Sequence, residues 1–254
     1  PKEDLDTPAL LLDLDAMERN IAAMAAYFQG VQAKLRPHVK LHRATPQLAR
    51  RQMQAGAIGL TCAKLSEAEA LAAAGIRDIL IANQIVGPLK IRRLVELARV
   101  ADVMVAVDSY ENVAELSAAA QAQGVSLRVL VEVNIGHNRC GVDPLQPALA
   151  LSQAVHAAPG LRYLGLMGYD GHCTFGLSEA ERAERSRQAN ALLVLTRRLI
   201  EAAGLPVQIV SAGGTFTYRY ASALEGITEI QAGTYLLMDT AFREQGVRDF
   251  ACAL

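Results

Sequence analysis

Strand-like runs of apolar and β-branched residues recur along this chain about every 25 residues, each followed by an alanine-rich stretch with helical periodicity. No other feature narrows the fold as far. A helix between successive strands returns the chain to the same end of the sheet, so neighbouring strands run parallel and need cover. The pattern predicts a short strand at 10–12 and a helix at 15–28 capped by Asp15. Strands are then expected at 35–39, 58–61, 79–81, 103–107, 127–133, 161–168, 208–210 and 229–231. Helices are expected at 45–55, 66–74, 88–100, 110–123, 144–157 and 178–203. Pro46 suits a first turn, Ser66 and Glu69 have capping-box spacing, and Gly75, Gly124 and Gly204 stand where helices stop.

Eight β units in 254 residues predict an α/β protein, a (β/α)8 TIM barrel. An open doubly wound sheet is the alternative, but it would carry its glycine-rich loop after the first strand. Here the first such loop follows a much later strand. No Pro- or Ser-rich linker divides the chain, so a single domain is expected. A hydrophobic content of 52% is enough for a sizeable core, and a net charge of −1 argues against a nucleic-acid partner. No run of about 18 apolar residues predicts a membrane span. The polar, acidic start at residues 1–4 is unlike a secretory signal. Cys62, Cys140, Cys173 and Cys252 form no C-x-x-C pair, so reduced thiols and a cytoplasmic protein are expected; Cys140, after Arg139 in a glycine-rich turn, is placed either near a site or, as the plainer reading, as a buried inert thiol.

In a β/α barrel the reactive groups lie at the C-terminal ends of the strands. The first barrel strand ends in Arg36-Pro37-His38-Val39-Lys40. Alternation puts Arg36, His38 and Lys40 on one face, a costly arrangement unless something anionic meets them. A lysine at a strand end, facing a phosphate-bearing aldehyde, suits a cofactor held through its aldehyde carbon; a solvated basic strand end is the plain alternative. His38 and His42 have metal-ligand spacing, yet on an extended segment they stand about 13 Å apart. His38 is therefore expected to pack and hydrogen-bond beneath the site. Ser211-Ala212-Gly213-Gly214-Thr215 and Gly233-Thr234 follow the last two strands, where barrels often cradle phosphate with backbone N–H groups. Arg139, in Gly136-His137-Asn138-Arg139-Cys140-Gly141, is expected to point inward and to stabilise an ionised oxygen.

Taken together these pieces resemble the fold-type III pyridoxal-phosphate enzymes, whose barrel is of the alanine racemase N-terminal type. The nearer resemblance is to the D-threonine aldolase and D-serine dehydratase family, which includes 3-hydroxy-D-aspartate aldolases. It is carried by Asp6-Thr7-Pro8-Ala9, Arg36 to His42, Lys64-Leu65-Ser66-Glu67-Ala68, Val86-Gly87-Pro88, Gly136 to Gly141, Ser211 to Thr215, and Gln231 to Asp239, in order along nearly the whole chain.

The resemblance implies that Lys40 bonds the cofactor aldehyde and that Arg139 contacts its phenolic oxygen. It implies that Tyr169 lies beside the ring and that Ser211, Gly214, Thr215, Gly233 and Thr234 hold the phosphate. Gln231 falls nearest the pyridine nitrogen, where racemases place arginine, so the ring is a weaker electron sink. The implied activity is cleavage of a D-β-hydroxy amino acid, of D-threonine or 3-hydroxy-D-aspartate type, to glycine and an aldehyde. Dehydration of D-serine or 3-hydroxyaspartate, racemisation, and a non-catalytic cofactor-binding role are the alternatives. Lys40 is the expected base for an α-proton, and Asp170 and His172 are candidates at the hydroxyl.

Two local departures bear on substrate: Asp170 stands where the aldolases read histidine, and Leu41 where threonine usually follows the lysine. The resemblance also implies a homodimer and a divalent metal, manganese or magnesium, whose ligands lie in a C-terminal β domain. Residues 1–248 are expected to form the cofactor barrel and 249–254 the first strand of that further domain. No residue of this sequence is named as a metal ligand.

Overall fold

A computed structural model describes residues 2–254. Eight strands, β1 (Lys34–Leu35), β2 (Leu60–Cys62), β3 (Asp78–Gln84), β4 (Asp102–Val107), β5 (Leu127–Glu132), β6 (Leu161–Met167), β7 (Ile209–Ala212) and β8 (Glu229–Ile230), form one sheet. Every adjacent pair is parallel, in the order β1-β8-β7-β6-β5-β4-β3-β2. The two outer strands meet through Ile58 N–H to Leu35 O (3.0 Å) and Thr61 N–H to Pro37 O (2.9 Å), with His38 bridging Thr61 in parallel. These contacts close the ring. Leu80, Met104, Ala106, Leu130, Leu164 and Met167 fill its interior.

The helices α1 (Leu14–Gln29), α2 (Pro46–Gln54), α3 (Leu65–Ala73), α4 (Pro88–Leu97), α5 (Tyr110–Gln123), α6 (Gln146–Ala157) and α7 (Glu179–Ala202) cover the outside, joined by short α8 (Tyr218–Ser222) and α9 (Thr240–Glu244). Among the described residues, no helix is long and apolar enough to cross a membrane.

The departures from the sequence pattern have local causes. Residues 10–12 form no strand, and Asp13 rather than Asp15 caps α1, its carboxylate accepting from Ala16 N–H at 2.9 Å. Extended backbone at Asp13 aims its side chain at that amide, whereas Asp15 already lies in the first turn. The box at the start of α3 is closed by Glu67, which accepts from the N-cap Lys64 N–H at 3.3 Å and also from Ala63 N–H at 2.9 Å, while Glu69 pairs with Arg93. Past Leu35 the backbone still pairs with the β8 side, Arg36 N–H donating to Ile230 O at 2.9 Å and His38 N–H to Ala232 O at 3.2 Å, while Pro37, with no N–H, only accepts. Residues 249–254 form no strand of their own. Asn20 on α1 holds them like a sheet edge, donating to Ala251 O and accepting from Ala251 N–H, both at 2.8 Å.

The chemistry of the basic strand end divides here. Arg36 is 3% exposed and turns to the N-terminal end of the barrel, where Nε meets Glu229 at 3.0 Å and Nη1 meets Asp78 at 2.9 Å. The anion that this arginine needed is supplied by the protein. Gly59 makes room for it: a Cβ there would lie 2.0 Å from Arg36 Nη1 and 2.8 Å from Asp78 O. Gly59→Ala is therefore expected to destabilise the fold by about 1–3 kcal/mol through overpacking, read as a lower urea midpoint with an unchanged slope.

Candidate functional site

At the opposite, C-terminal end the strand termini surround a cavity of about 350 Å³. His38, Lys40, Arg139, Tyr169, Gly214, Thr215, Gln231, Gly233 and Thr234 all line it, so most of the residues singled out in the sequence meet in one place. Ser211 stands just behind this wall. It accepts a hydrogen bond from Gln231 Nε2 at 2.8 Å and fixes that neutral amide at the end of β8.

Lys40 is presented by a tight turn rather than by a strand. Residues Val39–His42 form one turn of 3-10 helix, with His38 at its start and His38 Nδ1 accepting from Lys40 N–H at 3.3 Å. Arg43 and Ala44 follow with φ of 54° and 57°. Two consecutive non-glycine residues in the left-handed region cost about 1–3 kcal/mol each. That strain reverses the chain between the lysine and α2, leaving the ammonium at the cavity. His42, whose spacing from His38 suits a metal ligand, is instead buried against Gln52 Oε1 at 3.3 Å.

The electrostatics favour a neutral amine. Lys40 is pulled below its ordinary value by burial of its stem and by the guanidinium of Arg139, against a weaker pull from Glu67. His38 is pushed down to about 3, by burial first and then by Lys40, Arg139 and His42, so it stays uncharged. Tyr169 lies between the cations, its ring centroid 6.0 Å from Lys40 Nζ and 5.1 Å from the Arg139 guanidinium carbon. Its phenol is raised by burial and by Asp170, so it keeps its proton. If Arg139 depresses Lys40 through space, Arg139→Gln moves Lys40 back up. The pH midpoint for reductive alkylation of Lys40 by a small aldehyde is then expected to rise, and an unchanged midpoint would contradict the assignment.

Across the cavity, the loops after β7 and β8 form a cradle. The amides of Thr215, Phe216, Gly233 and Thr234 donate to no acceptor within the described residues. Tyr235 N–H donates to Thr215 Oγ1 at 3.1 Å and ties the two loops together. Gly233 packs so closely on the turn before Lys40 that a Cβ would lie 2.3 Å from His38 O. Unpaired N–H groups converging from two loops are the donor set an anion requires. An amine poised against them at the same cavity fits a phosphate-bearing aldehyde cofactor. Among the described residues, no three His, Cys, Asp or Glu side chains come together as a metal site. The divalent metal implied by the resemblance thus has no donor set here, and no step is derived through it.

Asp170 does not reach the cavity. It is fully buried, and its oxygens accept from Ser186 Oγ (2.7 Å), Asn190 Nδ2 (2.9 Å) and Thr217 Oγ1 (3.0 Å). His172 stacks on His137, centroids 6.2 Å apart, outside the lining. Conversely, Gln84 and Glu132 line the cavity unforeseen. Gln84 Nε2 donates to Glu132 at 2.6 Å and to Asp108 at 3.1 Å, and Asp108 takes the Gly141 amide at 3.0 Å. This clamp anchors the loop carrying Arg139. Burial raises the Glu132 carboxyl above the usual range. The available signal was a glutamate closing the apolar run Val129-Leu130-Val131 at the end of β5.

A family model described as alanine racemase, N-terminal domain, matches residues 12–241. D-threonine aldolase from Arthrobacter sp. is 41% identical over 239 residues, covering 94% of this chain and 63% of that protein. D-threo-3-hydroxyaspartate dehydratase from Delftia sp. is 37% identical over 254 residues, covering 96% of this chain and 64% of that protein. The crystal structure of D-threonine aldolase from Filomicrobium marinum superposes with a TM-score of 0.95 at 41% identity, over 98% of this chain and 68% of that one. The chain thus spans less than two thirds of either relative compared by sequence.

Proposed function

Since this chain belongs to the family of the alanine racemase N-terminal domain, we propose that it is the pyridoxal-phosphate barrel of a lyase acting on D-β-hydroxy amino acids. The reaction is retro-aldol cleavage of the Cα–Cβ bond, giving glycine and an aldehyde. The observation that carries the reading is Lys40 at one cavity with the unpaired N–H groups of residues 215–216 and 233–234. We extend the reading to a cytoplasmic homodimer that uses D-threonine or 3-hydroxy-D-aspartate.

Pyridoxal phosphate, when bound, supplies an electron sink that weakens the bonds at the amino acid's Cα. The protein's part is to hold it and to manage protons. Thr215, Phe216, Gly233 and Thr234 amides would receive the phosphate, and Gly233 lets its loop pack against His38 beside Lys40. Lys40, whose pKa is lowered by burial and by Arg139, would present Nζ to the aldehyde carbon and would move a proton at that nitrogen. Arg139 stabilises negative charge on the phenolic oxygen. Tyr169 packs against the Arg139 guanidinium and beside Lys40 Nζ and covers one face of the cavity. Gln231, already donating to Ser211, brings no charge to the ring nitrogen.

Mixing the chain with pyridoxal phosphate is expected to give a yellow adduct that borohydride fixes on Lys40. D-threonine, but not L-threonine, should perturb its absorbance and yield glycine and acetaldehyde. Ammonia and an oxo acid instead would support dehydration, the reading favoured by the likeness to the Delftia dehydratase. No adduct at all would remove the proposal.

A further inference from the structure

The buried carboxylate of Asp170 has no role in the chemistry above, yet it ends one hydrogen bond away from the phosphate cradle. Thr217 Oγ1 donates to Asp170 Oδ1 at 3.0 Å and accepts from Gly214 N–H at 3.1 Å. Thr217 is 1% exposed and stands in the cavity wall behind the turn of residues 213–216. Because its single proton points at Asp170, its lone pair must face Gly214, so neither the hydroxyl proton nor the Gly214 amide is free for an anion.

We propose that Asp170 is a positioning residue that sets the polarity of Thr217 and so decides which donors of the turn meet the cofactor phosphate. The inference rests on the cofactor reading only for the identity of the anion. In the native arrangement the phosphate is met by backbone amides, and Thr217 is held out of the donor set.

The geometry makes the consequence of one isosteric change definite. Asn190 Nδ2 and Ser186 Oγ both donate to Asp170 Oδ2, and an amide nitrogen such as Asn190 Nδ2 can only donate. In Asp170→Asn the side-chain oxygen must therefore occupy the Oδ2 position, and the new NH2 falls where Oδ1 was. Thr217 Oγ1 then accepts from both that NH2 and Gly214 N–H, and its own proton turns to the cavity. The same substitution removes a negative charge from behind the phosphate. Tighter anion binding follows, the opposite of what loss of a purely structural bond would give.

The test uses inorganic phosphate and pyridoxal phosphate on the whole chain, with unphosphorylated pyridoxal as the control. Asp170→Asn is expected to bind inorganic phosphate, and pyridoxal phosphate relative to pyridoxal, about tenfold more tightly, as one added charge-assisted hydrogen bond allows. Adding Thr217→Val to that variant should abolish the gain. Amide exchange supplies a second measurement if Asp170→Asn folds poorly. In the native chain phosphate should slow exchange at Thr215 and Phe216 but not at Gly214, and in Thr217→Val it should slow Gly214 as well, while Thr217→Ser behaves as native. Unchanged or weaker phosphate binding in folded Asp170→Asn, or native Gly214 behaviour in Thr217→Val, would overturn the proposal. Failure of the cofactor reading looks different: no adduct forms on Lys40, while the inorganic-phosphate pattern persists.

Discussion

Lys40→Ala is expected to abolish covalent cofactor capture altogether. Borohydride treatment in the presence of pyridoxal phosphate should leave no fixed label and no yellow colour, whereas the native chain carries one label per chain. The expectation follows from geometry: Lys40 is the amine that lines the cavity, standing 6.0 Å from the Tyr169 ring centroid, in the same cavity as residues 215, 216, 233 and 234. Non-covalent affinity should persist, because the cradle and Arg139 are untouched, so equilibrium dialysis with pyridoxal phosphate is expected to show weakened but measurable binding. Peptide mapping decides the matter. A reduced adduct found on another lysine in the native chain, or a surviving adduct in Lys40→Ala, would end the assignment of this residue.

The second large effect is on stability. Arg36→Ala leaves Glu229, 2% exposed, without its partner at the N-terminal end of the barrel. Removing one member of a buried pair costs about 3–5 kcal/mol, since the remaining charge stays desolvated. Asp78 is 38% exposed and contributes less, as water screens it. Burial by itself would lower the arginine's pKa, but Glu229 and then Asp78 hold it above the ordinary value, so the guanidinium is charged at every pH at which the protein folds. Urea unfolding is the measurement. Replacing both members, Arg36→Met with Glu229→Leu, should recover most of the loss, because an apolar pair of similar volume often serves a buried site as well as an ion pair. A single variant that loses under about 1 kcal/mol would show the pair to be solvated in solution.

The two predictions separate residues that the sequence places side by side. Arg36, His38 and Lys40 alternate on one face of an extended segment, and periodicity treats them as equivalent. In the structure Arg36 turns down to Glu229 and Asp78, His38 stays neutral in the wall, and Lys40 leaves the strand on a 3-10 turn. The proline between Arg36 and His38 was visible, but the left-handed residues Arg43 and Ala44 carry no glycine or asparagine to announce them. The glycine loops were easier. Their position after the last two strands and their backbone freedom are both local properties, and residues 215, 216, 233 and 234 line one cavity.

Asp170 shows the limit from the other side. Its place after β6 marks it as a strand-end carboxylate, the usual mark of a reactive group. Its partners lie 16, 20 and 47 residues further along, on α7 and in the turn after β7, and no local pattern encodes them. Glu132 is the converse: it reads as the last residue of a core strand, yet Gln84 at the end of β3, itself bonded to Asp108, holds it at the cavity.

From residue order alone came the parallel strands, the number of β/α units, the end of the barrel at which the loops gather, and the lysine, arginine and glycines those loops present. These depend on interactions within about one strand or one helical turn. Folding decided which carboxylate neutralises which cation, which hydroxyl is donor and which acceptor, and which of three neighbouring basic residues meets the cavity. Those choices belong to side chains brought together from opposite sides of a closed ring. Their energies rest on burial and on hydrogen-bond partners that are distant along the chain.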